Sequence, residues 1–266
     1  MSTVKQYALK RKAYVAIRDG NRNSYGGNQG WFPQEGEFLK DRVINQYGCG
    51  VIAIADLFLY WAMTTPKGRD SFAAKYIGKF NEITKEDYMK FIEEVRAHYA
   101  FIFGSAGTFG FELALGINRY IKANNLPYIA RLDMSLNDIT MLKKIRKSLE
   151  ANQPTILMIG YTSPIIISKW KKIGIPFYKQ VRNIGSIREK KDEPYAHYEM
   201  LKTGVFGHFV TITGIVIDEN AETASQHIML RIASWGEEFY ISYHHLRKYI
   251  NTMSSPYLSA LITINS

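Results

Sequence analysis

Residues 49 to 63, CGVIAIADLFLYWAM, carry one charged side chain, Asp56, and beside it only Tyr60 breaks the apolar run. A segment of this length with no polar face reads as a helix that other elements cover on all sides. It is too short to span a bilayer. The rest of the chain must therefore wrap around this helix, and its first residue, Cys49, is the only cysteine present.

A chain of 266 residues that is 46% hydrophobic and 14% aromatic has ample material for a packed core. One cysteine excludes an internal disulfide and a cysteine-based zinc site, and it is compatible with a reducing compartment. The N-terminal MSTVKQYALKRKAYVAIRDG has no signal-peptide core, so a soluble, cytoplasmic protein without a transmembrane segment is expected. Much of the net charge of +10 falls between Lys169 and Lys191, where eight Lys or Arg side chains cluster. That basic segment 169–191 could face an anionic partner or surface. No RNA-binding signature, zinc finger or phosphate loop accompanies it, so no specific nucleic acid is expected.

Along the chain, residues 12–18 suggest a first strand and 24–37 a glycine-rich loop. Thr84-Lys85-Glu86-Asp87 forms a capping-box pattern opening a helix to about Phe101. A second helix covers Phe111 to Ala123, and a third, capped by Ser135 or Asn137, runs to about Glu150. Strand patterns then follow at 154–161, 208–217, 227–232, 238–243 and 258–264. Helices first and an antiparallel sheet second predict an α+β domain over residues 1–266. Its helical half is about 38–152, its sheet half about 153–266, and an insertion covers about 162–203. Mixed aromatic and basic side chains in that insertion suggest a lid or docking surface beside a cleft.

A thiol reacts as its thiolate, which a helix N-terminus and a nearby imidazolium both favour. If the buried helix starts at Cys49, the first condition holds, and Gly48 and Gly50 would admit a substrate to the backbone. A buried structural cysteine is the alternative. Among the six histidines, His208 stands out because it opens a strand directly after a glycine, at a sheet end. No HExxH, carboxylate cluster or GxSxG occurs, so no metal, no cofactor and no serine nucleophile is expected.

The ordered stretches GCGVIAIADLFLYW, QPTILMIGY, FGHFVTITGI and ASWGEEFYISY resemble the papain-like cysteine peptidase superfamily. Within it they look closest to the branch of bacteriocin leader peptidases and their bacterial relatives. The resemblance covers roughly residues 25–264 and implies a papain-like fold, with the cysteine on a central buried helix and the histidine on the antiparallel sheet. It implies Cys49 as nucleophile and His208 as general base and acid, acting on a peptide or protein substrate through an acyl-enzyme. The family's asparagine that holds the histidine ring is replaced by Ala233, leaving Ser234 as the nearest acceptor. Asp218 lies ten residues along the same strand from His208, about 33 Å away. The usual glutamine six positions before the cysteine is Val43 here, so Gln46, or alternatively Gln29, would donate to the oxyanion, with the Cys49 amide as second donor. A catalytically degenerate relative that binds a peptide or partner in the cleft is the alternative function.

Overall fold

The computed structural model describes residues 4–34, 39–103, 107–134, 136, 138–160, 174–181, 197–221, 223–252 and 259–266. Its helices are α1 (Leu39–Tyr47), α2 (Cys49–Thr64), α3 (Pro66–Arg69), α4 (Lys85–His98), α5 (Gly110–Ala123), α6 (Asp138–Glu150) and α7 (Tyr243–Thr252). The strands are β1 (Val4–Ala8), β2 (Ala16–Asp19), β3 (Arg22–Tyr25), β4 (Ile83–Thr84), β5 (Ile129–Asp133) and β6 (Thr155–Ile159). They continue with β7 (Ile175–Val181), β8 (His197–Val205), β9 (His208–Asp218), β10 (Ile228–Ser234), β11 (Glu237–Ser242) and β12 (Ala260–Asn265). The protein is thus a mixed α and β structure whose large sheet is antiparallel.

The apolar run forms α2, and every residue from Gly50 to Met63 is buried. Its cover comes from α4, α5 and β9. Aromatic side chains fill the space between: Phe58 stacks on Tyr120 with ring centres 3.7 Å apart, and Trp61 stacks on Tyr128 at 5.2 Å. The polar atoms along this buried helix are matched, as such burial requires. Trp61 Nε1 donates to Gln153 at 2.7 Å, and Tyr60 donates to Asn152 at 2.7 Å. The helix ends at Thr65, whose extended backbone leads into Pro66 and whose hydroxyl caps α3. Thr84 caps α4, accepting from the Asp87 amide at 3.2 Å and donating to the Asp87 carboxylate at 3.0 Å.

Strand order in the large sheet is β5-β12-β6-β9-β10-β11-β7-β8, and β1 also pairs with β9. Strand β9 is the axis. Its first half pairs with β6, from Ile159 opposite His208 to Thr155 opposite Ile212, and its second half pairs with β1. Although its sequence alternates, β9 is buried on both faces except at Ile217, because α2 covers one part and α6 another. Two strands of the sheet, β1 and β5, come from before residue 153. The expected division into a helical half and a sheet half is therefore interleaved, since the sheet needs those strands at β9 and β12. A second, three-stranded sheet, β3-β2-β4, includes a parallel pair, β2 with β4.

The segment expected to be a separate insertion contributes β7 and β8 to the sheet itself, beyond β11. Phe177 is fully buried, 5.5 Å from Trp235 and 5.8 Å from Phe239 between ring centres. Part of this segment is thus core, because a hairpin here covers the aromatic side chains of β11. Residues Ile165, Ile166, Ile167 and Trp170, and most of the basic cluster, lie outside the described residues, as do Ser135 and Asn137. Among the described residues, no helix is long and apolar enough to cross a membrane.

Candidate active site

Because β6, β9 and β10 run antiparallel, β9 begins where its neighbours end. His208, the first residue of β9, therefore shares a sheet end with Ser234, the last residue of β10. The N-terminus of α2 reaches the same place. The backbone amide of Phe209, the residue that follows His208, is near enough to favour the Cys49 thiolate. Cys49 and His208 together line a small cavity of about 20 Å³ and a larger apolar cleft of about 460 Å³. The rim of that cleft includes Phe109 and Phe111, which stack at 5.8 Å and are exposed.

Nε2 of His208 lies 2.8 Å from Oγ of Ser234, a hydrogen bond between buried side chains. Local backbone geometry explains why a serine is there. Ser234 pairs with Glu237 across a two-residue hairpin turn, and both central residues have positive φ, Trp235 at 48° and Gly236 at 77°. That is the primed turn whose twist matches the flanking strands; glycine adopts it freely, and tryptophan adopts it at a cost. The turn lays the Trp235 ring on His208, centres 4.4 Å apart and 16° from parallel. Lys202 of β8 places its Nζ 3.9 Å from the Trp235 ring centre. Ala233, where the resemblance leads one to expect an asparagine, is directed to the neighbouring face, towards Gly26.

Gln29 lines both cavities with Cys49 and His208, whereas Gln46 is exposed and lines only the larger one. Nε2 of Gln29 donates to the Asn45 carbonyl at 2.8 Å, tying its loop to α1. The same loop is fastened at two further points. The Gly236 amide donates to the Gly27 carbonyl at 2.8 Å, and the Gly27 amide donates to the Asp56 carboxylate at 3.0 Å. Asp56, noticed in the sequence only as an interruption of an apolar run, is buried and forms a wall of the small cavity. The available signal was its spacing, since seven residues after Cys49 is two turns along the same helix face.

Two expectations change. The glycines flanking Cys49 serve packing: a Cβ at Gly48 would stand 2.4 Å from the Ile44 carbonyl oxygen, and one at Gly50 would stand 3.0 Å from both Thr108 and Leu113. The thiol is also not activated at rest. Burial pushes Cys49 above its ordinary value, outweighing the Phe209, Gly50 and Cys49 amides that favour the thiolate. Burial likewise pulls His208 down to about 3, with the Lys202 charge acting in the same direction. The pair is therefore a neutral thiol beside a neutral imidazole. Iodoacetamide labelling of Cys49 across a pH series should accordingly show a midpoint above the ordinary thiol value of about 8.5. A midpoint below it would mean that an imidazolium faces the sulfur.

No group of three or more His, Cys, Asp or Glu side chains among the described residues could hold a metal ion. No family model, curated protein or solved structure matches the chain.

Proposed function

We propose that the protein is a thiol-dependent hydrolase of papain-like type, a cysteine peptidase cleaving a peptide or amide bond through an acyl-enzyme on Cys49. The observation that carries this reading is that Cys49 and His208 line the same small cavity and the same apolar cleft, with the His208 ring held by Ser234. With Nε2 of His208 engaged by Ser234, the ring's Nδ1 is left to take the thiol proton. Since both groups are neutral at rest, proton transfer accompanies attack: the sulfur bonds to the carbonyl carbon as Nδ1 takes the proton. The oxyanion is met by the Cys49 backbone amide and the side-chain amide of Gln29, with Gln46 the more remote donor. Collapse breaks the carbon–nitrogen bond, and His208 returns the proton to the leaving amine. Water then attacks the thioester with His208 as base, releasing the acid and restoring the thiol.

The neutral state of the pair also favours a second reading, a papain-like protein that binds a peptide in the cleft without cutting it. Hydrolysis of a fluorogenic peptide library, with and without prior alkylation, decides between them. Turnover lost on alkylation of Cys49 supports the peptidase; peptide binding with no turnover supports the binder. Ser234→Ala removes one hydrogen bond from the ring and none of the reacting atoms. It should raise the barrier by about 1–3 kcal/mol, lowering kcat/KM roughly fivefold to 150-fold. Unchanged kinetic constants would show that another group holds the ring. An asparagine at Ala233 would point towards Gly26, so Ala233→Asn should bring no gain in rate.

A further inference from the structure

Asp56 has no part in the chemistry above, yet it is the charged side chain nearest the reacting pair on α2. Its Oδ1 accepts from the Tyr88 hydroxyl at 2.8 Å, and its Oδ1 and Oδ2 accept from the Gly27 amide at 3.2 and 3.0 Å. The turn above it fits only glycine. Gly26 has φ +82°, a Cβ there would stand 2.5 Å from Asp56 Oδ2, and a Cβ on Gly27 would stand 1.8 Å from Tyr88 Oη. Trp31, closing the same turn, meets Tyr88 edge-on at 5.7 Å. Asp56 and Tyr88 therefore form the floor on which residues 26 to 31 rest, and Gln29 in that turn lines the same small cavity as Cys49. The cavity of about 20 Å³ has Asp56, Cys49, His208 and Ser234 among its walls, and it has room for about one water.

A neutral acceptor could take both hydrogen bonds without the cost of burying a charge. A carboxyl at this position adds a proton that comes and goes. We propose that Asp56 is a positioning residue of the Cys49 site: it holds the turn that carries Gln29, and its ionisation is felt at the thiol across the shared cavity. Its importance for turnover rests on the hydrolase reading, but its coupling to Cys49 does not.

The groups facing Asp56 titrate elsewhere. Burial raises Tyr88 of α4 and Tyr14, which precedes β2, well above the ordinary tyrosine value. His208 of β9 is pulled down to about 3, and Cys49 on the same helix is pushed up. Asp56 itself is raised by burial to about 7, against the Gly27 and Tyr88 hydrogen bonds. A carboxylate across the cavity disfavours the thiolate, so the rise of Cys49 reactivity with pH should be interrupted where Asp56 ionises.

The test is iodoacetamide labelling of Cys49, followed by mass spectrometry through neutral pH, in the parent and Asp56→Asn. The parent should show an inflection near 7, and Asp56→Asn should lose it. A parent without the inflection, or an Asp56→Asn protein that keeps it, overturns the coupling. Where Asp56→Asn does not fold, Tyr88→Phe serves: losing the hydroxyl that favours the carboxylate should move the inflection upward, and an unmoved inflection overturns the proposal. In the peptide assay Asp56→Ala, which accepts neither hydrogen bond, should lower kcat at unchanged KM, because an oxyanion donor acts in the transition state. An unchanged kcat would overturn the turn-holding role. Inflection without turnover in the parent sinks the hydrolase reading alone; turnover without the inflection sinks the coupling alone.

Discussion

Cys49→Ala is expected to abolish peptide hydrolysis and all iodoacetamide labelling while leaving the fold intact. The sulfur is the sole thiol in the chain, so no second cysteine can supply residual reactivity. In the mechanism proposed here it forms the bond that carries the acyl group. Loss of such a nucleophile typically costs roughly 10⁴-fold or more in kcat. Stability should change little, because Cys49 is the first residue of α2, partly exposed, and alanine is a good helix former. The measurement is kcat/KM on the best peptide substrate, paired with a melting curve. Hydrolysis at the parent rate by a well-folded Cys49→Ala protein would rule out an acyl-enzyme on this residue. The comparison with Ser234→Ala then ranks the two roles: a lost nucleophile against a lost hydrogen bond on the ring.

The second large effect concerns the scaffold. Phe58→Ala should destabilise the protein by about 3–5 kcal/mol, the usual cost of removing a phenyl group from a closed core. Phe58 is fully buried on α2, stacked at 3.7 Å on Tyr120 of α5, and edge-on to Tyr99 at 5.7 Å. Tyr120 is itself fixed, donating to Ser71 at 2.9 Å and accepting from the Ala73 amide at 3.2 Å. The ring cannot slide into the vacated space without giving up those bonds, so the cavity stays open. A denaturant titration measures the change through the midpoint at constant slope. A shift below about 1 kcal/mol would show that the core around α2 collapses onto the smaller side chain.

Much of the framework could be read from residue order. An apolar run with one charge can only be an enclosed helix, and α2 spans Cys49–Thr64. The β-branched runs after residue 153 are strands because neighbours in sequence decide period and propensity. Thr84 and Asp87 announce α4 by a local capping pattern, and the bonds are made between residues three apart. Strands β1, β5, β7 and β8 were not visible in the same way. Each is short or mixed in polarity, and β1, β5 and β7 are stabilised by partners far along the chain, β9, β12 and β11, while β8, among the described residues, forms only on β7.

The residue types of the site, one thiol and a histidine at a strand start, stand in the sequence itself. What the sequence could not determine is how each is held, because that depends on distant contacts and on enclosure. Ser234 was legible as the nearest acceptor, and the primed turn at Trp235-Gly236 decides the geometry in which it meets Nε2 of His208 and the Trp235 ring covers that ring. Packing against Ile44, Thr108 and Leu113 decides why glycines flank Cys49. Burial decides the charge of the pair, since helix-end amides favour a thiolate by less than loss of water disfavours it. Asp56 shows the division most clearly. The sequence places a carboxyl two turns below the thiol, and only the folded chain buries it and brings Gly27 and Tyr88 to it.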